Sequence, residues 1–288
     1  MDFVVGEDVR NNYKASFFQL AHDVFTLDFS QWDALGYWTP MYKPHCFIKD
    51  GYVVANVSVT FATMVIEGTT KKVAQIGTVM TAPQYRRQGF SKKLMDYVLD
   101  TYKDIDLFYL FANDSVLHFY PCFGFKAVPQ YVSEVSLPTM PTRQTNVKKL
   151  DLHNASTRQF IYDRAKHRVP VSTKVGVLGN EDIVMFHALL AYDSALYYLP
   201  DFEAIIIGYE EEGAFELVDV IAKKEVALIS ILNALLTKAN KISFGFTPNA
   251  LPLYIITSEL QANGAFFIKE MNHTNYPTAT RYPVTSIT

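Results

Sequence analysis

The sequence has little cysteine: Cys46 and Cys122 are its only two. They are far apart and join no CxxC or Cys/His cluster, which excludes a disulfide framework and a cysteine-based zinc site. Neither sign of charge dominates. The formal net charge is −3 and the pI about 6.2, so no global basic surface invites nucleic acid. No uninterrupted apolar run approaches the roughly 20 residues a membrane helix needs. The start, Met1-Asp2-Phe3-Val4-Val5-Gly6-Glu7, lacks the basic and apolar regions of a secretory signal. Neither GxGxxG nor GxxxxGK occurs, which leaves a dinucleotide fold or a Walker-type phosphate loop without support. A cytoplasmic protein without metal, membrane or nucleic-acid partner is the expectation.

Hydrophobic residues make up 49% of the 288 residues and aromatics 14%. That suffices for one large domain or two ordinary ones. Apolar spacing predicts a helix over 12–25. The runs 46–48 and 52–59, joined by Asp50-Gly51, read as a β-hairpin. The runs 61–66 and 73–81, joined by Glu67-Gly68, read as the next strand pair. Phe90, Leu94, Val98 and Tyr102 recur every fourth residue and predict a helix over 89–102. A buried strand is expected at 107–112, a short helix after Asn113-Asp114-Ser115, and a strand at 125–137. Residues 137–146, with Pro138 and Pro141, read as a linker. Beyond it, helices are expected at 155–168, 182–192 and 226–238. Strands are expected at 196–199, 204–209, 215–222 and 242–246.

The halves can be aligned. Each runs strand, helix, short apolar strand, then a glycine followed by aromatics, as in Gly124-Phe125 and Gly264-Ala265-Phe266. This reads as a weak internal duplication.

The most informative stretch is Pro83-Gln84-Tyr85-Arg86-Arg87-Gln88-Gly89-Phe90-Ser91, between a strand and an amphipathic helix. The first turn of a helix offers unpaired N–H groups and a positive dipole end, which suits a phosphate. Gly89 lets the backbone approach closely. Arg86 and Arg87 can add charge-assisted bonds, and Ser91 a hydroxyl. Taken alone, such a short motif is as easily a solvated loop.

Arg86-Arg87-Gln88-Gly89-Phe90-Ser91 resembles the coenzyme A motif of the GNAT superfamily of N-acetyltransferases, (Arg/Gln)-x-x-Gly-x-(Gly/Ala), with Ser91 departing at the last place. Phe119-Tyr120-Pro121-Cys122-Phe123-Gly124-Phe125 is similar to that family's Phe-Tyr-x-x-x-Gly-Phe. The resemblance implies an α/β (α+β) GNAT fold, with a mixed splayed sheet, flanking helices and a second GNAT-like domain after it. The division is a GNAT domain over 1–140 and a GNAT-like half without a CoA motif over 147–288. It implies that Val79, Met80 and Thr81 bond the pantetheine arm, that residues 86–91 hold the pyrophosphate, and that Asn113 lies near the acetyl end. Tyr120 matches the family's general acid. Acetyl-CoA is the implied cosubstrate, and a primary amine of a small molecule or peptide the acceptor. A homo-oligomer is left open.

A base is not evident, because 73–81 carries no Asp or Glu and Gln75 cannot serve. His118, His45 and Glu67 are unsupported. Some relatives with a second GNAT-like half use a terminal carboxylate, which here would be that of Thr288. Cys122 reads as a buried small hydrophobe rather than a nucleophile. In the second half, the matching turn Ala222-Lys223-Lys224-Glu225-Val226 has no glycine, and Glu225 would repel phosphate. Glu210-Glu211-Glu212-Gly213 reads as a hairpin tip. Tyr192, Tyr197 and Tyr198 could line an acceptor pocket, though core packing explains them as well. A non-catalytic acyl-CoA-binding module and an aminoacyl transferase remain as alternatives, since fold does not fix function.

Overall fold

A computed structural model describes residues 1–136, 146–235, 239, 241–251, 253–272 and 274–288. In chain order its elements are β1 (Asp2–Val5), α1 (Glu7–Asn12), α2 (Lys14–Phe25), α3 (Ser30–Ala34), β2 (Tyr42–Lys49), β3 (Tyr52–Ile66), β4 (Thr69–Thr81), α4 (Phe90–Thr101), β5 (Leu107–Ala112), β6 (Lys126–Val128) and β7 (Tyr131–Ser136). Then follow β8 (Lys148–Lys149), α5 (Ala155–Lys166), β9 (Val175–Leu178), α6 (Glu181–Leu190), β10 (Leu196–Leu199), β11 (Ala204–Glu211), β12 (Ala214–Ala222), α7 (Leu228–Ala234), β13 (Lys241–Phe244), β14 (Ile255–Glu259) and β15 (Ala265–Glu270).

Asp50 and Gly51 both have positive φ and close the β2–β3 hairpin, as the Asp-Gly pair predicts. Glu67 and Gly68 do the same between β3 and β4. The two apolar runs expected on either side of residue 60 are one strand of 15 residues. Helix α4 buries Leu94, Met95 and Val98 completely against the sheet. Burying three such side chains stabilises the layer by about 1.5–3 kcal/mol each. Glu212 and Gly213 form the tip of the β11–β12 hairpin. The linker expected at 137–146 lies almost wholly outside the described residues, as does the end of the helix expected at 226–238.

The strands form two mixed sheets with flanking helices. The first has the order β1-β2-β3-β4-β5-β15-β6, with β9 pairing the far end of β3. The second has the order β14-β7-β13-β12-β11-β10-β8. Each contains one parallel pair, β4 with β5 and β12 with β13. Each also takes a strand from the other half of the chain. β15 lies between β5 and β6, and β7 lies between β13 and β14. The sheets therefore do not follow the 1–140 and 147–288 division of the chain: residues 131–136, 265–270 and, as β9 on β3, 175–178 change sides.

The strand expected at 125–137 is two strands in two sheets. Pro129, which has no N–H to offer a ladder, stands at the break. Beside it, Gln130 Oε1 accepts the Tyr282 N–H at 2.7 Å, tying the crossing point to the C-terminal segment.

Candidate active site

In the first sheet β4 and β5 pair only at Val73–Leu107, Ala74–Phe108 and Gln75–Tyr109. Beyond that point β4 runs on to Thr81 and β5 to Ala112 without meeting. The edge of β4 facing β5 thus carries main-chain donors and acceptors with no strand opposite. Such groups call for a partner.

The opening is widened by a bulge. Asn56 pairs with Met80 and Ser58 with Gly77, so β4 has an extra residue against β3. Thr78, within the bulge, has φ +42°. A β-branched residue there is an outlier costing about 1–3 kcal/mol. Buried groups hold it in place. Asn56 Nδ2 donates to the Thr78 carbonyl at 2.8 Å, and the Tyr42 hydroxyl meets Thr78 Oγ1 at 2.6 Å.

A cleft of about 900 Å³ follows the opening. Val79, Met80, Thr81, Arg86, Arg87, Ser91, Asn113 and Tyr120 all line it. Gly89 sits before α4 at φ +78°, where a Cβ would be strained. Arg87 also has positive φ, at +62°. At the start of α4 the Lys93 N–H donates to the Gly89 carbonyl at 3.0 Å. The preceding amides lie at the helix entrance, where a phosphate is suited. Thr81 Oγ1 and Ser91 Oγ meet at 2.8 Å, and Arg86 Nε donates to the Thr81 carbonyl at 3.2 Å. These bonds fix the turn to the end of β4. Gln88, Gly89 and Phe90 are in the turn but outside the cleft lining. Gln88 bonds the Gln84 carbonyl, and Phe90 packs on Phe47 with centroids 5.4 Å apart.

Tyr120 is 5% exposed and packed between Phe119, Phe125 and Phe267. Burial pushes its phenol up to about 12, so it carries its proton at neutral pH. It can donate that proton but not serve as a base. His118 is exposed and outside the cleft lining. His45 is buried on the other side of β2 and β3, between the Val57 carbonyl and the Tyr102 hydroxyl. Glu67 is exposed in its turn. Cys122 is exposed, not buried as the sequence reading expects. It follows Pro121 in a surface turn, which strand and helix periodicity do not reveal. Tyr192, Tyr197 and Tyr198 pack in the second half and are not part of the cleft lining. Among the described residues no group of three or more His, Cys, Asp or Glu is placed to hold a metal, and no helix is long and apolar enough to cross a membrane.

Sequence reasoning gave Thr288 only through the family resemblance, and it lies in the cleft. Its main-chain oxygen accepts from Gln75 Nε2 at 2.8 Å, and its hydroxyl is 3.3 Å from that of Thr60. A Cβ on Gly77 would come within 3.2 Å of the same main-chain oxygen, so glycine there makes room. The second half delivers this residue. His187 Nε2 lies 2.7 Å from the Ile287 carbonyl; Asn180 Nδ2 donates to Ser286 Oγ at 2.8 Å; Thr285 Oγ1 donates to Asp219 at 2.5 Å. Burial holds the His187 ring below its usual range, so it is neutral and can donate one N–H. Single residues such as these have no motif, and sequence reasoning missed them.

Residues 8–128 match the family model of the acetyltransferase (GNAT) domain. Solved structures are similar over most of this chain. A probable N-acyltransferase of unknown function from Enterococcus faecalis V583 aligns with a TM-score of 0.60 at 16% identity, covering 94% of this chain and 72% of that one. Eis1 from Mycobacterium abscessus gives 0.62 at 14% identity, covering 94% and 74%. A GCN5-related N-acetyltransferase from Kribbella flavida gives 0.55 at 13% identity, covering 93% and 72%. At these identities the likeness speaks for the fold.

Proposed function

With residues 8–128 a GNAT acetyltransferase domain, this chain belongs to that superfamily of acyltransferases, and we propose that it transfers an acetyl group from acetyl-CoA to a primary amine. The observation that carries the reading is the parting of β4 from β5 after Gln75 and Tyr109, with the 86–91 turn at one end of the cleft and Tyr120 within it. Val79, Met80 and Thr81 offer main-chain partners to an extended arm. The α4 entrance, Arg86 and Arg87 offer charge to a diphosphate, and Asn113 stands on the β5 side. The cosubstrate supplies an activated thioester.

The chain's residues then have distinct tasks. An alkylamine with a pKa near 10.4 must shed a proton before its nitrogen can attack. The nitrogen forms the new C–N bond as the C–S bond breaks. The sulfur takes a proton from the Tyr120 hydroxyl, and the proton that nitrogen loses as the amide forms restores that hydroxyl. Holding both reactants in one cleft provides much of the acceleration. In a 288-residue chain ending at Thr288, the free carboxylate would lie beside Gln75 and could take the amine's proton. We read the second sheet, with β7 exchanged into it and β15 exchanged out of it, as a second GNAT-like unit without a phosphate turn.

Calorimetric titration with acetyl-CoA and free-thiol release across an amine panel test the reading. Saturable binding and amine-dependent thiol release support it. A native protein that gives no heat with acetyl-CoA refutes it. For the carboxylate, the 288-residue chain is compared with one extended by two glycines. Unchanged turnover would remove Thr288 from the mechanism.

A further inference from the structure

One wall of the cleft is apolar. Phe25, Leu27 and Phe29 follow from the end of α2, Trp32 from α3, Tyr42 from β2 and Phe186 from α6. The rings form one packed wall. Centroids lie 5.7 Å apart for Phe29 and Phe186, 5.6 Å for Trp32 and Phe186, and 5.6 Å for Trp32 and Tyr42. Such a wall is rigid. Phe29, Trp32 and Tyr42 are buried, whereas Phe25, Leu27 and Phe186 are only half-buried and leave apolar surface towards the cleft.

Among the described residues lining the cleft there is no aspartate or glutamate. Its formally charged side chains are Arg86 and Arg87. Asp182, next to the lining residue Ile183, has its carboxylate taken up by Thr39 and by Tyr162 at 3.0 Å. Its main-chain oxygen meanwhile accepts the Trp32 indole N–H. Asp28, exposed between Leu27 and Phe29, accepts the Ser30 N–H at 2.8 Å.

This distribution selects among amines. A polyamine or aminoglycoside would have to strip water from several ammonium groups with no acidic side chain in the lining and only the one carboxylate of a chain-terminal Thr288 to meet them. A single ammonium can rest on ring faces. Apolar surroundings also favour its neutral form, which is the form that attacks. Resting on the acyltransfer reading above, we infer that the acceptor is an arylalkyl monoamine, and that Phe186 is a specificity residue supplied by the second half of the chain.

The test uses the full chain, acetyl-CoA, and three amines: 2-phenylethylamine, butylamine and spermidine. The expected kcat/KM for 2-phenylethylamine is at least tenfold above butylamine and a hundredfold above spermidine. Phe186→Ala should raise the KM for 2-phenylethylamine about tenfold and leave acetyl-CoA affinity, read by calorimetry, unchanged. Phe186→Leu, which keeps the fold under milder change, should fall between. Equal or better turnover of spermidine overturns the inference, as does an unchanged KM in both variants. Preference for octanoyl-CoA over acetyl-CoA also overturns it, by assigning the wall to the donor's tail. Quenching of tryptophan fluorescence by 2-phenylethylamine needs no donor. Saturation there supports the apolar pocket and its absence overturns it, even where the acetyl-CoA titration has failed.

Discussion

The two sheets contain the same opening and use it differently. In the first, β4 and β5 part after Gln75 and Tyr109; in the second, β12 and β13 part after Leu217 and Phe244. Just beyond the parting, each longer strand carries a bulge, at Thr78 in β4 and at Val218 in β12. The first opening is a cleft with unpaired main chain, a glycine-bearing turn and a protonated tyrosine. The second is filled. The Val284 N–H donates to the Gly245 carbonyl at 3.0 Å, and Thr285 reaches Asp219 at 2.5 Å. Behind them Arg168 grips Asp219 by two bonds, at 2.6 and 2.9 Å. The same chain segment that plugs one opening reaches into the other with Thr288. An opening of this kind stays accessible only where the chain's own residues leave it uncovered.

The comparison breaks if the plug is not structural. Arg168→Met leaves the Asp219 charge buried without its partner, and should cost about 3–5 kcal/mol of stability, seen as a lower denaturation midpoint. The double change with Asp219→Leu should recover much of that. Intact stability in the single variant would contradict the assignment.

Acid sharpens the contrast between the halves. Burial drives the His45 pKa from 6.5 down to about 4, so the folded ring stays neutral while the unfolded one takes a proton. Stability is full above pH 6.5 and falls as pH drops towards 4, by about 3 kcal/mol for this group. His45→Gln should flatten that slope in an acid-denaturation series. His187 shifts in the same direction, and its replacement should flatten the slope separately, together with a loss of turnover that His45→Gln does not cause.

The open cleft should respond in activity rather than stability. Tyr120→Phe should lower kcat about a hundredfold, within the range for a lost general acid, with acetyl-CoA affinity kept. Gly89→Val forces a β-branched residue to φ +78°, and should weaken acetyl-CoA binding about tenfold in calorimetry. Smallest of all, Lys224→Ala in the second half's counterpart turn should change acetyl-CoA affinity less than twofold.

Much of this was legible in the sequence. The turn residues Asp50-Gly51 and Glu67-Gly68, the apolar stripe of α4 and the 86–91 motif are local signals, and local signals survive in a single sequence. The parting of β4 from β5 was legible only through resemblance, because register is a relation between strands. The crossing of β7 and β15 was not legible at all. Ala265 pairs with Ala112, and no pattern in either run says so. Pro129 stands inside the single strand expected at 125–137; a proline there could have signalled the break, but not that the chain changes sheet. The plug was hidden for the same reason: Asp219 and Thr285 look ordinary until they meet.

The placement of β15 has a consequence during synthesis. β5 emerges about 150 residues before the strand that will cover its edge, which at ~5–20 residues per second is a wait of roughly 8–30 s. Through that interval the nascent chain presents Phe108, Leu110 and their neighbours on an uncapped edge. A ribosome-bound fragment stopped before residue 265 should therefore engage holding chaperones or aggregate, and excision of either half as a separate gene should yield insoluble product.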